Sequence, residues 1–410
     1  MTSRLHSSRA AVADVIALLQ SRTQPLPGEV VSLARAADRI LYTALVSPIN
    51  IPHFAKAAMD GFAVRAADTS GASRASPRRL RCVGEAKPGD PFVGRVAAGE
   101  AVRISTGAPV PPGADAVVMR ECTQVEENQE VVVYEAVSPG KHILAIGEDV
   151  QQGQEVLPAG RRLRPQDLGL LAAMGFGTVQ VVRQPQVAIV VTGNELVPAG
   201  QPAVGFQTVD CNSPMLAALV ERDGGRVHAI DRVADERSAL RQCVHHLVSA
   251  VDVILMIGGT SAGSDDYSAQ VVAELGELPI HGVAVRPGAP VGIGWLRPGL
   301  PVFLLPGQPV ACLWTYDLFA GGVIRRLAGR AWEWPYRAIT RPLAQEILSV
   351  HGRVDYVRVQ LRGDRVYPLN RGGASNLSTA VIADGFIVVP AERDRLEPGE
   401  SVDVYWYDPA

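Results

Sequence analysis

Lysine is nearly missing from this sequence: Lys56, Lys87 and Lys141 are the only three among 410 residues, so almost every positive charge is an arginine. Aromatic residues make up 5% and charged residues 20%. The 39 basic residues do not exceed the 42 acidic ones, and the net charge is -3. A chain without basic excess has little with which to neutralise a phosphate backbone, which argues against a nucleic-acid partner. No apolar run reaches the roughly eighteen residues of a membrane helix, so no membrane span is expected. The opening MTSRLHSSRAAVADVIALLQ carries Asp14 inside its apolar stretch, unlike a secretory signal, and a cytoplasmic location is the expectation. The five cysteines, Cys82, Cys122, Cys211, Cys243 and Cys312, are scattered without a CxxC pair. They are expected to be reduced packing residues, not a zinc or disulfide framework. The eight histidines form no HExxH spacing, and His245 and His246, adjacent on a predicted helix, point in different directions. No GxxxxGK and no GxGxxG occurs either, which removes the basis for a simple NTPase or dehydrogenase reading.

What is present describes a folded chain with 47% hydrophobic residues, long enough for about two to four domains. The 40 glycines and 30 prolines favour many turns and short strands over a long helical bundle. Residues 7–20 place Val12, Val15, Ile16, Leu18 and Leu19 at helical spacing behind Ser7 and Ser8, and Ser32 heads a second short helical pattern reaching Leu41. From about residue 51 the pattern turns to short strands, ending in a hairpin predicted over 124–137. Pro165 and Gly175 bracket a further helix. Residues 187–330 alternate apolar strands (VAIVV, RVHAI, VDVILMI, VAV, VGIGWL, VFLLP) with helices, one of them begun by Ser213 and Pro214, the signature of a largely parallel sheet covered on both faces. After about 331 the pattern returns to strands, with no helix expected. The fold class is therefore a multidomain α/β protein. Its expected parts are a discontinuous helical domain (1–50 and 141–183), a β insertion (51–140), a doubly wound α/β domain (184–330) and a C-terminal β domain (331–410).

In open α/β sheets ligands bind beyond the carboxyl ends of the strands. Three polar turns follow strands there: Thr192, Gly193, Asn194 and Glu195; Gly258, Gly259, Thr260, Ser261, Ala262 and Gly263; and Pro306, Gly307, Gln308 and Pro309. Glycine lets backbone N–H groups approach an anion, and a helix following the second and third turns adds its positive end. Tight strand-to-helix turns alone would explain any one of these segments, but three on one edge favour a phosphate pocket. Ser264, Asp265, Asp266 and Tyr267 come next, where a carboxylate either holds Mg2+ beside phosphate or caps the helix. Asp60 and Gly61, by themselves, are ordinary turn chemistry.

The segments AMDGFAVR (58–65), STGAPVPPGADAVV, GEDV, TGNEL, GGTSAGSDDY, RPGAP and LPGQPV occur in an order that resembles the molybdopterin molybdenumtransferase family. These are MoeA-type molybdenum insertases, similar to the E domain of gephyrin, and the resemblance spans about residues 5–405. It implies an elongated homodimer of four domains, the last a β-barrel, whose α/β domain binds molybdopterin. It also implies the activity: adenylylated molybdopterin (molybdopterin-AMP) and molybdate are taken up, molybdenum is inserted at the dithiolene, and AMP is released with Mg2+. Matched by motif, Asp60, Thr106, Asp149, Glu195 and Asp266 take the positions tied to activity, with Glu195 and Asp266 as the metal pair. The cofactor-binding positions are Thr192, Gly193, Gly258, Gly259, Thr260, Ser261, Gly263, Tyr267, Pro306, Gly307 and Pro309, together with Arg286, Arg353 and Ser375 for molybdate. The resemblance further implies that Asp60 and Thr106 reach the pocket from the partner subunit, so a monomer is expected to be inactive. Molybdopterin adenylyltransferase and molybdoenzymes are the implied partners. A tetrahedral oxyanion needs fixed donors without a competing carboxylate, which arginine forks and hydroxyls supply. The family pattern usually reads KPGKP and GNPVS; this chain has RPGAP and GQPVA, so Ala289 and Ala311 remove a cation and a hydroxyl, and Gly282 stands at a further basic position. Two alternatives follow: a paralogue that carries or scaffolds the cofactor, and an adenylyltransferase.

Overall fold

The computed structural model describes residues 9–259, 267–369 and 373–407. Two compact units share the chain, one reaching to Glu29 and resuming at Gln180, the other spanning Val30–Val179.

The Val30–Val179 unit is built on a six-stranded sheet ordered Ala116–Met119, Gly61–Val64, Glu100–Ile104, Arg78–Ala86, Glu130–Val133, Thr123–Val125. All neighbours run antiparallel except Arg78–Ala86 beside Glu100–Ile104. Alternate residues feed two cores, Phe62, Val64, Ala101 and Val118 on one face, Ala63, Val102, Ile104 and Val117 on the other. Both faces are thus covered, and strands such as AVVM are apolar throughout instead of alternating with polar residues. The hairpin expected over 124–137 forms from Thr123–Val125 and Glu130–Val133. The helix expected behind Pro165 runs Pro165–Ala173, where the Asp167 carboxylate accepts from the Arg164 backbone N–H at 2.9 Å and from the Arg161 guanidinium at 2.7 Å. The second helical pattern, expected from Ser32 to Leu41, is only a one-turn 3-10 segment, Leu33–Arg35. Asp38 adopts φ +68°, a left-handed conformation that stops helical propagation.

The other unit holds the α/β sheet. Its strands are β1 (Gln186–Thr192), β2 (Arg226–Val233), β3 (Val253–Ile257), β4 (Glu277–His281), β5 (Gly292–Arg297) and β6 (Leu300–Leu305), ordered β2-β1-β3-β6-β5-β4. The first four in that order run parallel; β5 and β4 close the edge antiparallel. Helices α1 (Val12–Arg22), α2 (Asn212–Arg222), α3 (Arg237–Leu247), α4 (Tyr267–Leu275), α5 (Pro309–Thr315) and α6 (Gly321–Leu327) belong to this unit. Val187, Ile189 and Val191 of β1 enter a core with Val12, Val15 and Leu19 of α1 and Leu216 and Val220 of α2, while Ala188 and Val190 face Leu240 and Val244 of α3. The double-sided burial explains the unbroken apolar strands.

Three expectations need correction. The N-terminal helix starts at Val12 instead of residue 7, and its Val12, Val15 and Leu19 pack into the α/β core, so it does not join residues 30–50 in a helical domain. The VAV segment is not part of the α/β sheet: Val285–Arg286 pairs in parallel with Val354–Asp355. Finally, among the described residues the tail contains one short helix, Leu377–Val381.

The C-terminal strands β7 (Arg337–Pro342), β8 (Val354–Arg362), β9 (Arg365–Pro368), β10 (Gly385–Val389) and β11 (Ser401–Trp406) form a sheet ordered β8-β10-β11-β7, with β9 also on β8. It meets the α/β layer through rings: Trp314 of α5 stacks on Tyr356 at 4.7 Å, and Phe386 lies 5.9 Å from Trp314 and 5.5 Å from Trp334. Such contacts add about 0.5–1.5 kcal/mol per pair beyond area burial and fix the orientation of β8.

Candidate functional site

Residue pairing across β1, β3 and β6 (Val191 with Ile257, Ile257 with Leu305) brings the three polar turns to one edge, as the sequence pattern requires. The turns touch. The Gly258 N–H donates to the Leu305 carbonyl at 3.4 Å, and the Asn212 side chain donates to the Gly307 carbonyl at 2.8 Å. Gly258 has φ +94°, and a Cβ there would lie 2.3 Å from the Thr192 carbonyl oxygen. Only glycine lets the second turn pack on the first. Gly259 follows directly, and Pro309 opens α5 after Pro306 and Gly307.

Thr192, at the end of β1, is 4% exposed and its hydroxyl donates to Asp235 Oδ1 at 3.1 Å. The Asp235 N–H donates in turn to Asn194 Oδ1 at 3.2 Å. The turn after β2 therefore braces the turn after β1. Sequence reading missed Asp235 because the ADERS segment carries no glycine signal; a fourth strand end on the same edge was the available clue. Tyr267 opens α4 and, with Asp235, Arg237, Ser238 and Arg241, lines a cavity of about 750 Å³. Asp210 was missed as well: it accepts from the backbone N–H groups of Asn212 (3.1 Å) and Ser213 (3.0 Å) and from the Arg232 guanidinium (3.0 Å). Asp210 thus satisfies the first two backbone N–H groups of α2, whose start the sequence pattern put at Ser213.

Glu195 is exposed on this edge. Its two carboxylate oxygens would each lie 3.0 Å from a Cβ at Gly193, so the side chain folds back over the turn. Thr260, Ser261, Gly263 and Asp266 lie outside the described residues. Among the described residues no group of three or more His, Cys, Asp or Glu is arranged around a metal. An exposed carboxylate at a glycine-rich edge does suit Mg2+, which takes one or two carboxylates and completes its octahedron with phosphate oxygens and water.

In the other unit, Asp60 immediately precedes the strand Gly61–Val64, and Thr106 closely follows Glu100–Ile104. Antiparallel pairing of Gly61 with Ile104 places the start of one strand beside the end of the other. Asp60 Oδ1 accepts from the Thr106 N–H at 2.6 Å and from its hydroxyl at 2.7 Å. These two bonds hold the carboxyl below its ordinary 3.8. A Cβ at Gly61 would lie 1.9 Å from the Val118 carbonyl oxygen, so the Asp-Gly pair answers a close backbone approach as well as a turn. Asp60, Glu85, Arg103, Ser105, Arg120 and Thr123 surround a polar cavity of about 480 Å³. Asp149 is exposed; its backbone N–H donates to the Ile51 carbonyl at 3.0 Å.

Arg286 lies elsewhere, where Val285–Arg286 meets β8. Its guanidinium pairs with the Asp355 carboxylate and donates to the Leu348 carbonyl at 3.4 Å, and the Ser349 hydroxyl donates to the same carboxylate at 3.1 Å. The expectation of oxyanion donors without a competing carboxylate is thus corrected: Asp355, 3% exposed and directly opposite Arg286 in the strand pairing, is that carboxylate. Arg353 lies two residues before it and is half-exposed; Ser375 is exposed. The Ala374 carbonyl beside Ser375 accepts from the Val310 N–H at 2.9 Å, which ties this segment to the start of α5. Ala311 is 1% exposed, and a Cβ at Gly288 would lie 3.4 Å from its carbonyl oxygen, so this side chain faces packed protein.

Residues 10–175 match the family described as MoeA N-terminal region (domain I and II), residues 188–326 the one described as probable molybdopterin binding domain, and residues 340–407 MoeA C-terminal region (domain IV). A molybdopterin molybdenumtransferase of Nostoc is 34% identical over 382 residues, covering 91% of this chain and 87% of that protein. Another, of Haemophilus influenzae, is 32% identical over 395 residues, covering 94% and 96%. The crystal structure of a molybdopterin biosynthesis MoeA protein from Pyrococcus horikoshii matches with a TM-score of 0.84 at 33% identity, covering 98% of this chain and 100% of that one. With three matched regions in order, relatives of this identity along nine-tenths of its length and a shared architecture, the chain belongs to the MoeA family.

Proposed function

We propose that this protein is a molybdopterin molybdenumtransferase in molybdenum cofactor biosynthesis. Its substrates are adenylylated molybdopterin and molybdate, and its reaction inserts molybdenum while cleaving the pyrophosphate bond to release AMP. The observation that carries the reading is the edge shared by Thr192–Glu195, Gly258–Gly259 and Pro306–Pro309, an amide-rich rim suited to a phosphorylated ligand. On this rim the Gly258 turn offers close backbone approach to a phosphate, because no side chain stands in the way. Asp235 holds the Thr192 hydroxyl and the Asn194 side chain, keeping the first turn in one shape before substrate arrives. Glu195 and Asp266 would hold Mg2+ at this edge, and the ion would supply charge compensation for phosphate oxygens. Asp60 stays anionic at neutral pH and is fixed by Thr106; we assign both to the site of the partner subunit in a homodimer, so that dimerisation completes each pocket.

The test is AMP release from adenylylated molybdopterin by the purified protein. Molybdate and Mg2+ are expected to stimulate it together. A folded, dimeric sample that binds the pterin but shows no molybdate-stimulated release would replace this reading with a cofactor carrier.

A further inference from the structure

Between Glu195 and the start of α2 the chain leaves the sheet and returns to it. Leu196–Val197 pairs in parallel with Thr208–Val209, and residues 198–207 form the loop between them. Both ends of the loop are fastened at the rim: the Thr208 N–H donates to the Glu195 carbonyl at 2.9 Å, and the Asp210 N–H donates to the Val197 carbonyl at 2.9 Å. Asp210 also holds the first N–H groups of α2, and Asn212 beyond it reaches the Gly307 carbonyl. The base of the loop is thus tied to the first and the third polar turn.

Its tip is a formed turn. The Gln207 N–H donates to the Val204 carbonyl at 3.2 Å, and the Val204 N–H donates to Gln207 Oε1 at 3.1 Å. Gly205 supplies φ +61° at the second position, a conformation that suits glycine, and Phe206 takes the third. At that corner Phe206 is fully exposed. All eight phenylalanines lie among the described residues, and the other seven are buried or half-buried. Phe206 is therefore the one phenyl ring that a bonded turn holds out of every core.

The pairing limits how far this ring lies from the phosphate rim. Thr208 stands opposite Leu196 and two residues after Phe206, so the Phe206 Cα is within roughly 12 Å of the Leu196 Cα, next to Glu195. A pyrophosphate that carries a heterocycle at each end is longer than this. With its phosphates at the glycine turns beside Glu195, it has a flat ring within reach of the phenyl. Stacking on an aromatic face suits any planar heterocycle, because each presents a π-face.

We propose that Phe206 is a binding residue for the substrate and stacks on a planar heterocycle, the pterin or the adenine of the adenylylated pterin. The proposal rests on the reading above and deepens it: the glycine turns take the phosphates, and Phe206 takes a ring. A stacked ring remote from the cleaved bond is held equally in the ground state and the transition state, so Phe206 acts on affinity and not on the chemical step.

The test uses the full chain with Phe206→Ala, Phe206→Leu and Phe206→Trp, at a position where the side chain carries no packing. All three should unfold at the temperature of the unaltered protein. In Phe206→Ala the KM for adenylylated molybdopterin should rise about fivefold to hundredfold, the range for losing one stacked ring, with kcat within about twofold. Phe206→Leu keeps apolar bulk without a flat face and should resemble Phe206→Ala, whereas Phe206→Trp should bind at least as well as the unaltered protein. Calorimetric titrations with AMP and with unadenylylated molybdopterin tell the two rings apart: a loss for AMP assigns the adenine, and a loss for molybdopterin assigns the pterin. Unchanged affinity for both overturns the proposal, as does an equal loss for both, a loss that Phe206→Trp does not restore, or full affinity in Phe206→Leu. Weaker self-association of ligand-free Phe206→Ala in sedimentation would mean that a second copy covers the ring, and overturns it too. Each of these outcomes leaves the insertase reading standing. If the unaltered protein binds both ligands but shows no molybdate-stimulated AMP release, that reading falls, and the titrations still decide the stacking.

Discussion

Replacing Asp235 with alanine removes the acceptor of the Thr192 hydroxyl, a bond of 3.1 Å from a residue that is 4% exposed. Water reaches that hydroxyl poorly, so leaving it unsatisfied costs about 1–3 kcal/mol. The Asp235 N–H still donates to Asn194, which confines the damage to the Thr192 side chain. Thr192→Val removes the same hydroxyl at nearly constant volume and leaves Asp235 with access to solvent. In the double variant the buried donor and its acceptor are both gone, so the combined loss should be smaller than the sum of the single losses by about 1 kcal/mol or more. For a unit of this size each kcal/mol corresponds to roughly 2 to 4 °C in Tm. Calorimetry of the four proteins measures the cycle, and amide hydrogen exchange at Gly193 and Asn194 localises it to the turn. AMP release should fall with Asp235→Ala and hold better in Asp235→Asn, which keeps an acceptor oxygen. Additivity within about 0.5 kcal/mol, together with unchanged exchange at the turn, would refute the bracing of one strand end by the next.

Thr106→Val should raise the Asp60 pKa, since both bonds that lower it come from Thr106 and the hydroxyl bond is lost. The sign follows from linkage: a carboxyl depressed in the folded state contributes stability above its unfolded pKa, and this is lost as pH falls through the lower folded value. A carboxyl-carbon NMR titration measures the shift, and an unmoved Asp60 would contradict the hydrogen-bond cause. Leu19→Ala should destabilise the α/β unit by about 2–5 kcal/mol, because Leu19 is fully buried among core residues of that unit. A denaturation midpoint equal to that of the unaltered protein would mean that α1 does not pack there. Burial pushes the Cys312 thiol well above its ordinary value and the Cys243 thiol up to about 11. Neither is expected to react with a disulfide reagent near neutral pH until the protein unfolds, and rapid native-state labelling of Cys312 would count against its burial.

Much of the layout was legible from pattern. The apolar runs VAIVV, VDVILMI and VFLLP announced double-covered strands, and turn residues at their ends marked a common edge. Asp355 was not legible: nothing within VDYVRVQL marks it, and only pairing with Val285–Arg286 puts a carboxylate against Arg286. Asp235 was hidden for a related reason. Its partner Thr192 is 43 residues away, and no local spacing connects them.

Local chemistry alone determined the alternation of strands and helices through most of the α/β layer, the glycine turns after its strands, and the motif order that marks the family. Those properties depend on steric limits and periodicity within a few residues, which a linear reading captures. Tertiary structure decided that α1 joins the α/β core, that the VAV segment pairs with β8, and that Arg286 faces Asp355. Each of these is a contact between segments far apart in the chain, selected by which apolar faces and unpaired strand edges are left to be covered once the local elements exist.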